Sequence, residues 1–341
     1  MNGALLEARH LSRHFAVRVG HGLRRPKRTV RAVDDVSLSL HAGRVTAVVG
    51  ESGSGKSVLA RMLARIVTPT SGELLLNGVA LPVNSPRNLD YAAEVQLVLQ
   101  DPFASINPVH QVRHSLERPL VIHGAARNEL ESRSCAALSR VSLDPPERYL
   151  DRYPHELSGG QLQRVSIARA LCVNPQVLLA DEPISMLDVS VRLGVLNLLR
   201  GLCDDEKLAV LYITHDIASA RYVADETIVM YAGQVVERSD STALIDAPAH
   251  PYTQLLIASV PDPSDPLRRA PAVEDRAGPG QFPTEGCRFA PRCPHAMDLC
   301  RTSAPALFEV ATGHESRCWL HDSATAVSIT AREQGGKIST T

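Results

Sequence analysis

The sequence predicts an α/β protein built on buried parallel strands, and three stretches carry that prediction. The first is Gly50-Glu51-Ser52-Gly53-Ser54-Gly55-Lys56-Ser57, which follows the β-branched run Val45-Thr46-Ala47-Val48-Val49. After it, Val58, Leu59, Met62, Leu63 and Ile66 recur at helical spacing. Strand, glycine-rich turn and helix together make the context of a phosphate-binding loop. The second is Val177-Leu178-Leu179-Ala180, a continuous apolar strand that ends on Asp181-Glu182 before Pro183. The third is the strand Leu208-Ala209-Val210-Leu211-Tyr212-Ile213, which ends in Thr214-His215-Asp216. Groups at the C-terminal ends of buried parallel strands sit at the ligand edge of an α/β sheet.

Each residue type suits phosphate chemistry. Gly50, Ser52, Gly53, Ser54 and Gly55 let the backbone wrap phosphate oxygens, so that N–H groups and the helix N-terminus face the anion. Lys56 supplies a positive charge for the β- and γ-phosphates, and the Ser57 hydroxyl can ligate Mg²⁺. Asp181 can hold Mg²⁺, directly or through water. Glu182 can orient and deprotonate an attacking water. His215 is the third strand-end group at that edge and a candidate γ-phosphate contact. The ligand these residues predict is a nucleoside triphosphate.

The remaining segments read in order. The chain has 341 residues, enough for two domains or one large domain with an appendage, and is 44% hydrophobic and 21% charged. A net charge of -1 gives no global pull toward nucleic acid or a membrane surface. No apolar run approaches the roughly eighteen residues of a spanning helix, and the N-terminus lacks a secretory pattern. The protein is expected in the cytosol, with its seven cysteines reduced or metal-bound. Residues 5–40 contain strand-like pieces, Val36-Ser37-Leu38-Ser39-Leu40 among them, around a basic insert with Arg18, Arg24, Arg25, Lys27, Arg28 and Arg31 that reads as a solvated hairpin tip. Phe15 sits where a ring can stack on a base. Gly72-Glu73-Leu74-Leu75-Leu76-Asn77-Gly78 is a strand ending in an Asn-Gly turn. Val95-Gln96-Leu97-Val98-Leu99-Gln100 is another, halted at Asp101-Pro102. From about 103 the pattern turns helical and proline-punctuated, an inserted subdomain. Ser158 and Gln161 stand in capping-box spacing around Gly159 and Gly160, so a helix starts there and presents bare N–H groups, a second place suited to phosphate. It stops at Asn174-Pro175. A further helix over 189–203 should bury Val191, Val195, Leu198 and Leu202. Residues 228–236 look like a hairpin that closes the nucleotide domain. His250-Pro251-Tyr252-Thr253 opens a short helix, 261–283 is a proline-loaded linker, and the last twenty or so residues read as disordered.

The phosphate loop, Gln100, the stretch 157–161, Asp181-Glu182 and His215, in that order, resemble the ATP-binding cassette of ABC transporters over roughly residues 5–245. The resemblance implies a RecA-like P-loop NTPase cassette with a helical subdomain at about 103–165, inside a nucleotide-binding domain spanning 1–245. It implies that Lys56 and Ser57 are the Walker A lysine and Mg²⁺ ligand, Asp181 the Walker B aspartate and Glu182 the catalytic glutamate. Gln100 is then the Q-loop residue, counted with Ser57 and Asp181 around Mg²⁺, and His215 the switch histidine. Ser185-Met186-Leu187-Asp188 resembles the D-loop, and Phe15 is the nearest match to the adenine-stacking aromatic. Ser158, Gly159, Gly160 and Gln161 match the signature that completes the ATP site of an opposite subunit. Asp101-Pro102-Phe103-Ala104-Ser105-Ile106-Asn107-Pro108, Tyr153-Pro154-His155-Glu156-Leu157-Ser158 and His250-Pro251-Tyr252-Thr253 resemble the dipeptide/oligopeptide importer subfamily. Implied partners are a second ABC ATPase subunit, two transmembrane permease subunits and an extracytoplasmic solute-binding protein, with no nucleic acid. The implied location is the cytoplasmic face of the membrane.

Four of the seven cysteines, Cys287, Cys293, Cys300 and Cys318, crowd one segment with five, six and seventeen residues between them. That spacing lacks the paired C-x-x-C of a zinc ribbon or simple ferredoxin. Reduced thiols in a docking domain, zinc with His295 or His314 as substitute ligands, and an iron–sulfur cluster all stay open on the residues alone. The tail resembles the C-terminal extension of peptide-importer ATPases, which implies that the quartet holds a [4Fe–4S] cluster in a metal-binding extension over 246–322, ahead of a tail at 323–341. Within the family, import of oligosaccharides, nickel or another solute is the alternative to peptides. A non-transport ABC ATPase of DNA repair or translation is a further one, against which stand the single cassette and the importer-type tail.

Overall fold

The computed structural model describes residues 3–18, 27–82, 88–260 and 282–322. The expected tip of the basic insert with Arg24 and Arg25, residues 261–281 of the linker expected at 261–283, and the tail at 323–341 lie outside the described residues.

Two sheets form the scaffold. A four-stranded antiparallel sheet has the order β2-β1-β4-β5, with β1 Leu6–Arg18, β2 Lys27–Leu40, β4 Ser71–Leu76 and β5 Val79–Leu81. β1 and β2 pair as two long arms as far as Arg18 opposite Lys27. The β4–β5 turn is the predicted Asn77-Gly78, both in the left-handed region, as a two-residue hairpin turn demands.

The second sheet has eight strands in the order β11-β12-β10-β9-β3-β8-β7-β6, with β10 Gln234–Asp240, β11 Phe308–Ala311 and β12 His314–Ser316. Its parallel part comprises β9 Glu226–Tyr231, β3 Val45–Val49, β8 Ala209–Thr214, β7 Val177–Asp181 and β6 Val95–Val98. β3, β7 and β8 are buried along their whole length, which is why each reads as a largely apolar run. The helix Lys56–Leu63 follows the phosphate loop and buries Leu59, Ala60, Met62 and Leu63. Ile66, expected on its buried face, is exposed instead. The chain leaves the helix after Leu63 and Arg65 turns left-handed, so the periodicity is cut before Ile66.

The expected helical insertion is made of short pieces: Pro102–Ser105, Val112–Ile122, Leu130–Arg140 and Glu147–Leu150. It shares one hydrophobic core with the sheet, through Val112, Leu116, Leu120 and Leu138 among others. The helix Gly159–Leu171 closes this layer, and Val189–Glu206 packs alongside it, burying Val195, Leu196, Leu199, Leu202 and Cys203. Val191 and Leu198, expected in the core, are only partly buried at its margin.

The hairpin of β9 and β10 (Gln234–Asp240) does not end the sheet. β12 (His314–Ser316) pairs antiparallel with β10, and β11 (Phe308–Ala311) pairs with β12. The chain beyond 282 thus extends the larger sheet by two strands. His250 caps the predicted helix Pro251–Ala258, its Nδ1 accepting from the Tyr252 N–H at 3.0 Å. No helix among the described residues is long and apolar enough to cross a membrane.

Candidate nucleotide site

Because β3, β8, β7 and β6 are adjacent and parallel, their C-terminal ends present four motifs side by side. These are the phosphate loop after β3, His215 after β8, Asp181-Glu182 at the end of β7, and Gln100 just past β6. The loop closes tightly on its surroundings. Gly55 has φ 103° and caps the helix Lys56–Leu63, and a Cβ there would stand 2.2 Å from the Ala32 carbonyl oxygen. Only glycine fits that position.

Lys56 is 4% exposed and donates to the carbonyl oxygens of Gly50 (2.6 Å) and Glu51 (2.9 Å). Burial pushes its pKa down, while the carboxylates of Glu182, Asp181 and Glu51 pull it back up. Ser57 Oγ donates to Asp181 Oδ1 at 3.0 Å, so the two expected Mg²⁺ ligands meet although 124 residues apart. Burial raises the Asp181 pKa, the Ser57 hydrogen bond opposes it, and Glu182 adds to the rise. A divalent cation on this pair would reverse that balance in favour of the carboxylate.

Glu182 occupies a left-handed backbone conformation with φ 47°, unusual for a residue with a long side chain. It is held by its own N–H to the Ile213 carbonyl (2.9 Å) and by Ser185, whose Oγ donates to the Glu182 carbonyl (3.0 Å). The twist takes the carboxylate out of the strand's pleat and toward its neighbours. Gln100 Nε2 donates to Glu182 Oε2 at 2.9 Å, and His215 Nδ1 stands 3.3 Å from the same oxygen. Gln100 therefore bonds Glu182 rather than the Ser57–Asp181 pair.

Other predicted residues sit apart from this edge. Ser158 caps the helix Gly159–Leu171 in a complete capping box: Gln161 N–H donates to Ser158 Oγ at 3.3 Å and Ser158 N–H to Gln161 Oε1 at 3.0 Å. Gly160 faces Val191, whose Cγ1 would lie 2.4 Å from an added Cβ, so the signature helix and the helix after the D-loop touch through a glycine. Asp188 is exposed at the start of that second helix, with no side-chain cap bond. Phe15 lies on β1 in the other sheet, its ring covered by the Arg13 guanidinium at 4.6 Å from the centroid.

Cys287, Cys293, Cys300 and Cys318 line one narrow cavity together with His295. Yet among the described residues no three His, Cys, Asp or Glu side chains are grouped to hold a metal ion. Neither the zinc site nor the iron–sulfur cluster expected from the sequence is shown by this arrangement. A wider cavity of about 1000 Å³, sharing Cys287, Cys293 and Cys300 with the narrow one, opens beside the helix Pro251–Ala258. It carries none of the strand-end groups, and the chemistry lies at the open sheet edge.

Sequence reasoning missed three residues at this site. Glu51 of the phosphate loop receives a two-pronged ion pair from Arg292, at 2.8 and 2.9 Å, and its N–H donates to Tyr252 Oη at 2.9 Å. The partners lie 241 and 201 residues away, beyond any local signal.

Fold and edge together define a phosphate-binding-loop NTPase. Residues 33–185 match the family model described as ABC transporter, and residues 236–300 match that of the oligopeptide/dipeptide transporter, C-terminal region. The chain is 38% identical over 333 residues, 96% of its length and 93% of the relative's, to the probable peptide ABC transporter ATP-binding protein y4tS of Sinorhizobium fredii. It is 41% identical to the di/tripeptide transport ATP-binding protein DppF of Pseudomonas aeruginosa, covering 89% of this chain and 94% of that one. Among solved structures, the dimeric ATP-binding cassette MJ0796 in a post-hydrolysis state with ADP and Pi superposes with a TM-score of 0.59. Identity there is 27%, over 69% of this chain and 98% of that one. The chain belongs to the ABC transporter family, as one of its ATP-binding, ATP-hydrolysing subunits.

Proposed function

We propose that this subunit powers a membrane importer of di- and oligopeptides, with ATP closing two cassettes onto each other. The carrying observation is the row of phosphate loop, His215, Asp181-Glu182 and Gln100 on four adjacent strand ends. That row is open on one side, and a capped helix N-terminus from a second cassette suits the uncovered γ-phosphate. In this reading Gly50, Ser52, Gly53, Ser54, Gly55 and Lys56 bind the phosphates, Ser57 and Asp181 hold Mg²⁺, and Phe15 stacks on adenine. Glu182 takes the proton of the attacking water while Gln100 and His215 hold its carboxylate. Ser158, Gly159, Gly160, Gln161 and Asp188 act on the partner's nucleotide. The peptide class is supported by the names of the relatives and by the matched C-terminal region. Copurification of the tagged full chain from membranes tests it. The expected companions are permease subunits, a second cassette and a peptide-binding protein; permeases accompanied by a sugar- or metal-binding protein would overturn the peptide assignment.

We propose that the cysteine quartet holds a [4Fe–4S] cluster, a reading supported by the four thiols lining one cavity and by their number and softness. In such a cluster each thiolate binds a different iron, so the sulfurs surround a volume rather than one point. Burial pushes the Cys293 thiol up to about 11 and the Cys318 thiol up to about 12, so without a metal these thiols stay protonated and unreactive. The cluster would supply order to the extension, or redox sensing, away from ATP. Anaerobically purified protein should be brown, carry about four irons per chain, and bleach with dithionite. Colourless protein without iron would remove the cluster.

A further inference from the structure

The phosphate loop is gripped by residues from far along the chain. Arg292 and Tyr252 both close on Glu51, the residue after the loop's first glycine. The guanidinium takes both carboxylate oxygens at 2.8 and 2.9 Å, and Tyr252 Oη accepts the Glu51 N–H at 2.9 Å. The Glu51 carbonyl meanwhile accepts from Lys56 Nζ at 2.9 Å. All three functional groups of one loop residue are thus fixed, two of them from beyond residue 250. The grip rests on an aromatic cluster. Tyr252 and Phe289 are fully buried with ring centroids 5.5 Å apart, and the Arg292 guanidinium lies 5.7 Å from the Tyr231 ring centroid. A second strut runs parallel: Arg288 pairs with Asp34 and donates to the Ala232 carbonyl, while the neighbouring Gly233 N–H donates to the Ser54 carbonyl at 2.8 Å.

We propose that Arg292 and Tyr252 are positioning residues for ATP binding, which act through Glu51 to set the shape and charge of the phosphate loop. This rests on the reading of that loop as the ATP site. An unpaired Glu51 carboxylate beside the loop would repel a triphosphate and leave the loop's first turn free to move. Arg292 cancels that charge with a planar fork that lysine cannot reproduce. Tyr252 holds the backbone from which the Lys56 contact is made. The C-terminal segment is therefore a working part of the nucleotide site.

The experiment is steady-state MgATP hydrolysis by the full-length chain. Arg292→Ala should raise KM for ATP about three- to tenfold with kcat little changed, as expected when a half-exposed ion pair supporting binding is removed. Tyr252→Phe, which keeps the ring and removes only the hydroxyl, should raise KM in the same direction. In a Glu51→Gln background Arg292→Ala should have no further effect, because the charge it cancels is gone. Arg292→Gln, close in length and uncharged, should show the same dependence on Glu51 and carries the test if the alanine variant folds poorly. Parental KM in both Arg292 variants, or an undiminished effect in the Glu51→Gln background, would overturn the proposal. Lys56→Ala separates the two readings. If it abolishes ATP binding while the Arg292 variants bind normally, the ATP site stands and the positioning role falls; if it binds normally, the ATP-site reading itself falls.

Discussion

Replacing Glu182 by Gln lowers ATP turnover about 10²- to 10⁴-fold, the range expected for loss of a general base, while leaving ATP affinity close to that of the parent chain. The amide keeps the size and one acceptor oxygen of the carboxylate, so the Gln100 Nε2 contact now made at 2.9 Å can persist. What it lacks is basicity. The left-handed backbone at φ 47° costs on the order of 1–3 kcal/mol, and glutamine bears the same strain, held by the same bonds to Ile213 and Ser185. Structure and binding should therefore survive and the proton transfer should not. With hydrolysis blocked, ATP stays between the cassettes and the closed pair accumulates. Size-exclusion chromatography with MgATP should show a dimer in the variant and mainly monomer in the parent. Turnover near the parental rate would remove Glu182 from this role.

The legible part of the site is the part written locally. β3, β7 and β8 are buried along their length, so each is a largely apolar run, and the loop, Asp181-Glu182 and His215 that follow these runs are what the sheet delivers to its edge. The Ser158–Gln161 capping box is legible for the same reason, since its donors and acceptors lie within one turn. Periodicity was less reliable at the margins. Ile66 falls after the left-handed Arg65, and Val191 lies at the core's margin, against Gly160 of a neighbouring helix. Contacts between distant segments left no local trace. The pairing of β12 with β10 and the fork from Arg292 to Glu51 depend on a late segment returning to the cassette, and an Arg or Glu alone reads as a solvated charge. The cysteine quartet is legible only as a count: spacing along the chain gives four sulfurs, and it takes the fold to bring them to one cavity.

Lys56→Ala should weaken MgATP binding by about a hundredfold, since charge-assisted hydrogen bonds contribute roughly 1.5–3 kcal/mol each and 1.4 kcal/mol is a factor of ten. The reason lies in what surrounds the ammonium. It is 4% exposed and sits within the electrostatic reach of Glu182, Asp181 and Glu51. Without it a polyphosphate meets the carboxylates of Asp181 and Glu182 with no buried ammonium to offset them, while Arg292 is already committed to Glu51. Folding should suffer less than binding. The alanine removes the desolvation of a buried ammonium along with its bonds to the Gly50 and Glu51 carbonyls, and Glu51 keeps its other two anchors. Titration with a fluorescent ATP analogue, alongside a thermal melt, separates these effects. A hundredfold loss of affinity with a melting temperature near the parental value is the expected pair of results. Affinity within threefold of the parent would place the triphosphate somewhere other than the loop between β3 and the helix Lys56–Leu63.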